Sequence, residues 1–201
     1  MILSLQGCMA VGKTTAIEYL KEEADYFHIS YENNTEVIQE IMRRQLDKTI
    51  FEDYIEIQKL WISQEIKRWE EIQKFPITVM DFGAEEIEFY TLHYPETIGE
   101  NWPVERVLKE ELKQLRQCMP DRILFLEASE QTLREHKNGD NNRTRHFFDF
   151  YLNHFLPLKY DWFIGQDKVD ILNVDGLTKK ELGQAVKDWC NDCISRVKSK
   201  K

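Results

Sequence analysis

The chain has 201 residues, of which 42% are hydrophobic and 31% charged, with a formal net charge of −9. That composition is ordinary for a globular protein and leaves room for one α/β domain with a sizeable core. The acidic balance offers no global positive field to hold a polyanion, so nucleic acid is not an expected partner. No apolar run approaches the roughly 20 residues of a membrane span, so no membrane partner is expected either.

Ile2, Leu3 and Leu5 form a short apolar run, predicted as strand one. It leads into Gly7-Cys8-Met9-Ala10-Val11-Gly12-Lys13-Thr14, which fits G-x-x-x-x-G-K-[ST], the phosphate-cradling P-loop or Walker A motif. Glycines let the backbone wrap an anion, and the loop amides and following helix N-terminus point at phosphate oxygens. The candidate nucleotide-binding residues are therefore Gly7, Ala10, Val11, Gly12, Lys13, Thr14 and Thr15. Lys13 is suited to reach the β- and γ-phosphates, and the Thr14 hydroxyl to hold Mg²⁺. Ala16, Ile17 and Leu20 then recur at helical spacing, as the motif requires. With a strand starting at once, no signal peptide is expected and residence is expected to be cytoplasmic.

Tyr26 to Tyr31 reads as strand two. Asn33-Asn34 can cap a helix through Leu46, with Val37, Ile38, Ile41 and Met42 facing inward. A long helix follows over about residues 52–74. Its apolar set, from Ile55 to Ile72, is too broad for a solitary surface helix and predicts packing on two sides. Ile77 to Asp81 is strand three, an apolar run closed by an acid. Beside a P-loop, such a carboxylate is suited to hold Mg²⁺ opposite Thr14.

A helix begins near Ala84. Pro95, Gly99 and Pro103 mark residues 93–103 as a loop, and Val104, Val107, Leu108, Leu112 and Leu115 mark one amphipathic helix. Ile123 to Ala128 is strand four, and Ser129 caps a short helix to about Lys137. A polar loop over Asn138 to Asn142 precedes Arg143 and Arg145. Two guanidiniums there could close over a triphosphate, neutralise transition-state charge and exclude water. A helix from His146 to Phe155, strand five from Val169 to Val174, and a last helix opened by the capping box Thr178-Lys179-Lys180-Glu181 complete the chain. Cys190 and Cys193 form a lone C-x-x-C on that helix. No further ligands stand at zinc spacing, so they are read as free thiols.

Strands alternating with helical segments predict an α/β fold: a single P-loop NTPase domain over residues 1–201, with a five-stranded parallel sheet, helices on both faces and a small helical or loop lid at about 134–147. Ligands of such sheets bind at the C-terminal edge of the strands. Glu32, after strand two, is a candidate acceptor for the proton of a hydroxyl substrate. Gln58, on the long helix beside Trp61, is a candidate to pair with a nucleobase edge.

These landmarks resemble the deoxynucleoside kinases. The loop GCMAVGKTT is similar to their P-loop, which often carries Ala or Gly where Ala10 stands. Ser30-Tyr31-Glu32 looks like the segment whose Glu serves as base for the sugar hydroxyl, and Ile57-Gln58 like the helical pair whose Gln reads the base. LFLEASEQTLREH resembles the strand and helix leading into the lid, Arg143-Thr144-Arg145 the lid arginine pair, and Asn173-Val174-Asp175 the last strand and the loop near adenine. The resemblance implies Lys13, Glu32, Asp81, Arg143 and Arg145 as catalytic residues, Glu32 and Gln58 as substrate-binding, Thr14 and Asp81 as metal ligands, and a possible homodimer through long helices.

The departures lie on the acceptor side. Asp81-Phe82-Gly83 stands where the family has Glu-Arg-Ser or Asp-Arg-Ser, Asn33 replaces a proline, and the lid has one fewer arginine. Loss of the strand-three arginine counts against a phosphorylated acceptor. The expected activity is transfer of the γ-phosphoryl of ATP-Mg²⁺ to a hydroxyl acceptor, a (deoxy)nucleoside foremost. The alternatives are a nucleoside monophosphate kinase, for which Arg43, Arg44 and Arg106 are candidate phosphate contacts, a kinase of a non-nucleotide alcohol, and a non-catalytic nucleotide-binding regulator.

Overall fold

Strands β1 (Ile2–Gly7), β2 (His28–Ser30), β3 (Thr78–Asp81), β4 (Arg122–Glu127) and β5 (Val169–Asn173) form one parallel sheet in the order β2-β3-β1-β4-β5. The computed structural model describes residues 1–139 and 147–198. The chain divides into two compact units. Residues 1–30, 75–81 and 121 onward make the first, which holds the whole sheet; residues 31–74 and 82–120 make the second.

In the first unit, Leu3, Leu5, Val79 and Met80 are fully buried, as strands covered on both faces by helices require. After β1, helix α1 (Lys13–Glu23) buries Ala16, Ile17 and Leu20. The chain moves to one side of β1 for β2 and β3, and to the other for β4 and β5. The C-terminal end of β1 is thus the topological switch point, where α/β sheets place their ligand crevice.

The second unit is helical. It contains α2 (Thr35–Arg44), α3 (Phe51–Ile72), α4 (Ala84–Thr97), α5 (Val104–Val107) and α6 (Lys109–Leu115), then a 3₁₀ turn over Arg116–Cys118. The broad apolar stripe of α3 is used inside this unit: α3 packs on α2, α4 and α6. On α2 only Val37 is buried, while Ile38 and Met42 are exposed, contrary to the inward face expected from their spacing. The amphipathic helix expected from Val104 to Leu115 is broken at Leu108, whose backbone (φ −98°, ψ 25°) leaves the helical region. Leu108, Leu112 and Leu115 are buried, and Val107 turns to solvent.

Where a loop was expected from His93 onward, α4 continues to Thr97 with Pro95 inside it. A proline has no N–H to give the carbonyl four residues earlier. That carbonyl, of Thr91, instead accepts the Tyr54 hydroxyl at 2.9 Å. The side chain of α3 thereby replaces the missing backbone donor, and the helix survives its proline.

The remaining helices belong to the first unit: α7 (Glu130–Gly139), α8 (Phe148–Phe150), a π-helical stretch over Tyr151–Phe155, α9 (Leu156–Phe163) and α10 (Lys179–Lys198). The aromatic helix expected to stop at Phe155 runs on to Phe163, because the π stretch brings Pro157 into the first turn of α9. The capping box forms as its motif predicts: the Glu181 carboxylate accepts the Thr178 amide at 2.8 Å, and the Thr178 hydroxyl oxygen accepts the Glu181 amide at 3.3 Å. Cys190 and Cys193 are buried free thiols on α10. Among the described residues no helix is long and apolar enough to cross a membrane.

Candidate functional site

The turn between β1 and α1 has an uncommon backbone. Gly7 (φ 131°), Ala10 (φ 67°) and Gly12 (φ 109°) all lie in the left-handed region. A Cβ on Gly7 would sit 2.4 Å from the Leu126 carbonyl oxygen of β4, so that position admits only glycine. Ala10 occupies the same region with a side chain, which costs about 1 kcal/mol, and explains why glycine would also serve there. Gly12 caps α1, so the amides of its first turn open onto this loop. The Lys13 ammonium donates to the carbonyls of Gly7 at 3.0 Å and Cys8 at 2.9 Å, tying the helix start back to the strand end. The result is a closed ring of backbone with a buried cation, which is the donor set an anion needs.

Several side chains of the first unit stand around this loop. Asp81 ends β3 in register with Leu5, on the strand beside β1. Thr14 and Thr15 are half-buried in the first turn of α1. After β4, the Ser129 amide donates to the Asp175 carboxylate at 2.9 Å, joining the β4 and β5 ends. Hydrogen bonds from Thr132 and Ser129 hold the Asp175 carboxyl below its ordinary value. His136, on α7, donates from Nδ1 to the Ala10 carbonyl at 3.0 Å, fixing its tautomer. The sequence did not single out His136, which lies 126 residues from its partner. Arg143 and Arg145, the expected lid pair, lie outside the described residues.

The second unit contains a cavity of about 710 Å³. Trp61, Phe82, Tyr90, Ile57 and Ile87 give it apolar and aromatic walls, Glu32, Asp47, Lys48 and Glu86 its charged groups, and Asn34, Gln45 and Gln58 its amides. Glu32 is exposed, two residues beyond β2. Gln58 is 1% exposed; its Oε1 accepts the Thr91 hydroxyl at 2.8 Å, and its Nε2 has no partner. A buried amide nitrogen without a partner, lining a cavity, is the group a ligand would satisfy. Arg43 and Arg44 do not line the cavity. They are committed to Glu40 at 2.6 Å and Glu56 at 3.0 Å, and Arg106 is exposed.

The turn after β3 is held from two sides. Phe82 adopts a left-handed conformation (φ 59°), unusual for a bulky residue. The Arg68 guanidinium donates to its carbonyl, and the Glu85 carboxylate accepts the Gly83 amide at 3.0 Å. Arg68 also pairs with Glu65 at 3.1 Å, and both are buried. An arginine from α3 thus reaches the segment where the resembling family has one in sequence, but its guanidinium is engaged by Glu65 and by the turn.

Burial pushes the Glu65 carboxyl up to about 8; Arg68 pulls it down, while Glu85 and Glu32 add to the rise. A folded-state value above the unfolded one means that this stabilisation is complete at acid pH. It is lost as pH rises from near 4.5 through about 8. Glu65→Gln is expected to escape that loss. In urea unfolding between pH 5 and 8, the variant should gain on the wild type by about 1 kcal/mol per pH unit. A constant difference across that range would remove Glu65 as the titrating group.

No protein-family model matches the chain, and no curated protein does. Solved structures match it along nearly its whole length. A thymidylate kinase from Candida albicans is 16% identical, covering 95% of this chain and 91% of its own, with a TM-score of 0.67. A deoxyadenosine kinase from M. mycoides, with the products dCMP and dCDP, is 12% identical over 96% of this chain and 100% of its own, with a TM-score of 0.69. A second structure of that enzyme, with bound dCTP, is 10% identical over the same shares, with a TM-score of 0.67. Identities this low speak for the fold: the chain has the α/β architecture of these nucleoside and nucleotide kinases.

Proposed function

We propose that the protein is a kinase that transfers the γ-phosphoryl group of ATP to a hydroxyl of a (deoxy)nucleoside. The observation that carries this reading is the P-loop backbone, with its three left-handed positions closed by the Lys13 ammonium. Lys13 and the loop amides would hold the transferring phosphoryl group. Thr14 and Asp81 are the residues suited to hold Mg²⁺, which neutralises phosphate charge when bound. Glu32 accepts the acceptor's hydroxyl proton as that oxygen bonds to the γ-phosphorus and the bond to ADP breaks. Arg143 and Arg145 close over the phosphates as the lid. Gln58 meets the nucleobase inside the cavity of the second unit.

The charge of that cavity favours a neutral acceptor. Glu32, Asp47 and Glu86 oppose a single cation, Lys48, among its described lining residues. A phosphate acceptor would want arginines there, and Arg43, Arg44 and Arg68 are paired elsewhere. A panel of nucleosides and nucleoside monophosphates with ATP-Mg²⁺, read as ADP formed, tests the reading. Nucleosides are expected to give acceptor-dependent ADP, with kcat/KM at least about ten-fold above their monophosphates. ADP formed only with monophosphates would move the assignment to a nucleotide kinase. Tight ATP binding with no acceptor-dependent turnover would leave a nucleotide-binding regulator.

A further inference from the structure

The Gln58 amide is held one way round. Thr91 is fully buried, and its hydroxyl carries one proton with one acceptor, Gln58 Oε1, at 2.8 Å. If the amide were turned over, Nε2 would donate to the Thr91 oxygen, leaving the hydroxyl proton without an acceptor. Buried hydroxyls avoid that state. Thr91 itself is fixed, because its carbonyl receives the Tyr54 hydroxyl at 2.9 Å beside Pro95. The amide oxygen is therefore engaged by the protein, and Nε2, buried on a residue that lines the cavity, is the amide group without a partner.

We propose that Thr91 is a specificity-determining positioning residue: by holding the Gln58 amide with its donors toward the cavity, it selects an acceptor ring that presents adjacent hydrogen-bond acceptors. The N3/O2 edge of a cytosine-type ring does so. An imide ring of the thymine type presents a ring N–H between two carbonyls, which an amide offering both its donor and its oxygen could match and this one cannot. Trp61, Phe82 and Tyr90 along the walls suit a flat ring of either type. The proposal rests on the nucleoside-acceptor reading above.

The test uses the full-length protein, with deoxycytidine and thymidine binding measured by calorimetry for wild type, Thr91→Val and Thr91→Ser. The side-chain amide resonances of Gln58 are followed by NMR without ligand. Wild type is expected to bind deoxycytidine at least about ten-fold more tightly than thymidine, the scale of one well-placed hydrogen bond. Thr91→Val should lower that ratio by about ten-fold and shift the Gln58 amide resonances. Thr91→Ser, which keeps the hydroxyl, should preserve both. Equal weakening of the two ligands in Thr91→Val, or an unchanged ratio, overturns the proposal, and so do unmoved Gln58 resonances. Wild type binding neither nucleoside overturns the acceptor reading and the selectivity with it, whereas the resonances still report the amide lock by itself.

Discussion

Lys13→Ala is expected to lower ATP-dependent phosphotransfer by about three orders of magnitude while leaving the protein folded. Lys13 is 8% exposed, and its ammonium bridges the Gly7 and Cys8 carbonyls. Alanine removes both the positive charge that the proposed reaction sets against the γ-phosphate and the tie between the helix start and the loop. The apolar core beneath, Ala16, Ile17 and Leu20, is untouched, so circular dichroism and thermal unfolding should stay close to wild type. Lys13→Arg should not restore turnover, because a planar guanidinium cannot take the place of a compact ammonium between two carbonyls. Full turnover in folded Lys13→Ala would sink the kinase assignment.

Gly7→Ala should cost stability as well as nucleotide binding, by about 3 kcal/mol or more. The added Cβ would meet the Leu126 carbonyl oxygen at 2.4 Å, a contact with backbone in the middle of the sheet, while φ stays at 131°. Gly12→Ala is the natural comparison. Its Cβ would meet Leu182 Cδ2 at 2.5 Å, the end of a side chain that can rotate away. Urea unfolding should therefore rank Gly7→Ala well below Gly12→Ala, with both below wild type. The reverse order would show that the β1–β4 contact does not fix this turn.

What the sequence made legible was what neighbouring residues decide among themselves. The P-loop conformation follows from glycines placed at left-handed positions within one short motif. The Thr178-Glu181 cap lies within one turn, and the strands are short apolar runs between breakers. Pro95 misled because its missing N–H is made good by Tyr54, 37 residues away from the carbonyl it serves. Ile38 and Met42 misled for a related reason: periodicity marks a face, but the neighbours decide whether that face is covered. Gln58 was visible as a residue, but its hydrogen bond was not, since that depends on Thr91, 33 residues on. The absence of an arginine beside Asp81 was visible too. That Arg68 reaches the same turn from α3, with Glu65 beside it, needed the folded chain.

The strand order has a consequence for how this chain acquires its structure. β1 lies in the middle of the sheet, yet both of its partners are distant: Met1 bonds to Pro76 across 75 residues, and Ile2 to Asp121 across 119. During synthesis from the N-terminus, this central strand emerges before β3 and β4, and waits for both before its two edges are covered. Contacts of such range are slow to form and leave an unpaired strand edge open in the meantime. The residues that make β1 a good sheet centre, Leu3 and Leu5, are thus the ones most exposed to wrong partners while folding is incomplete.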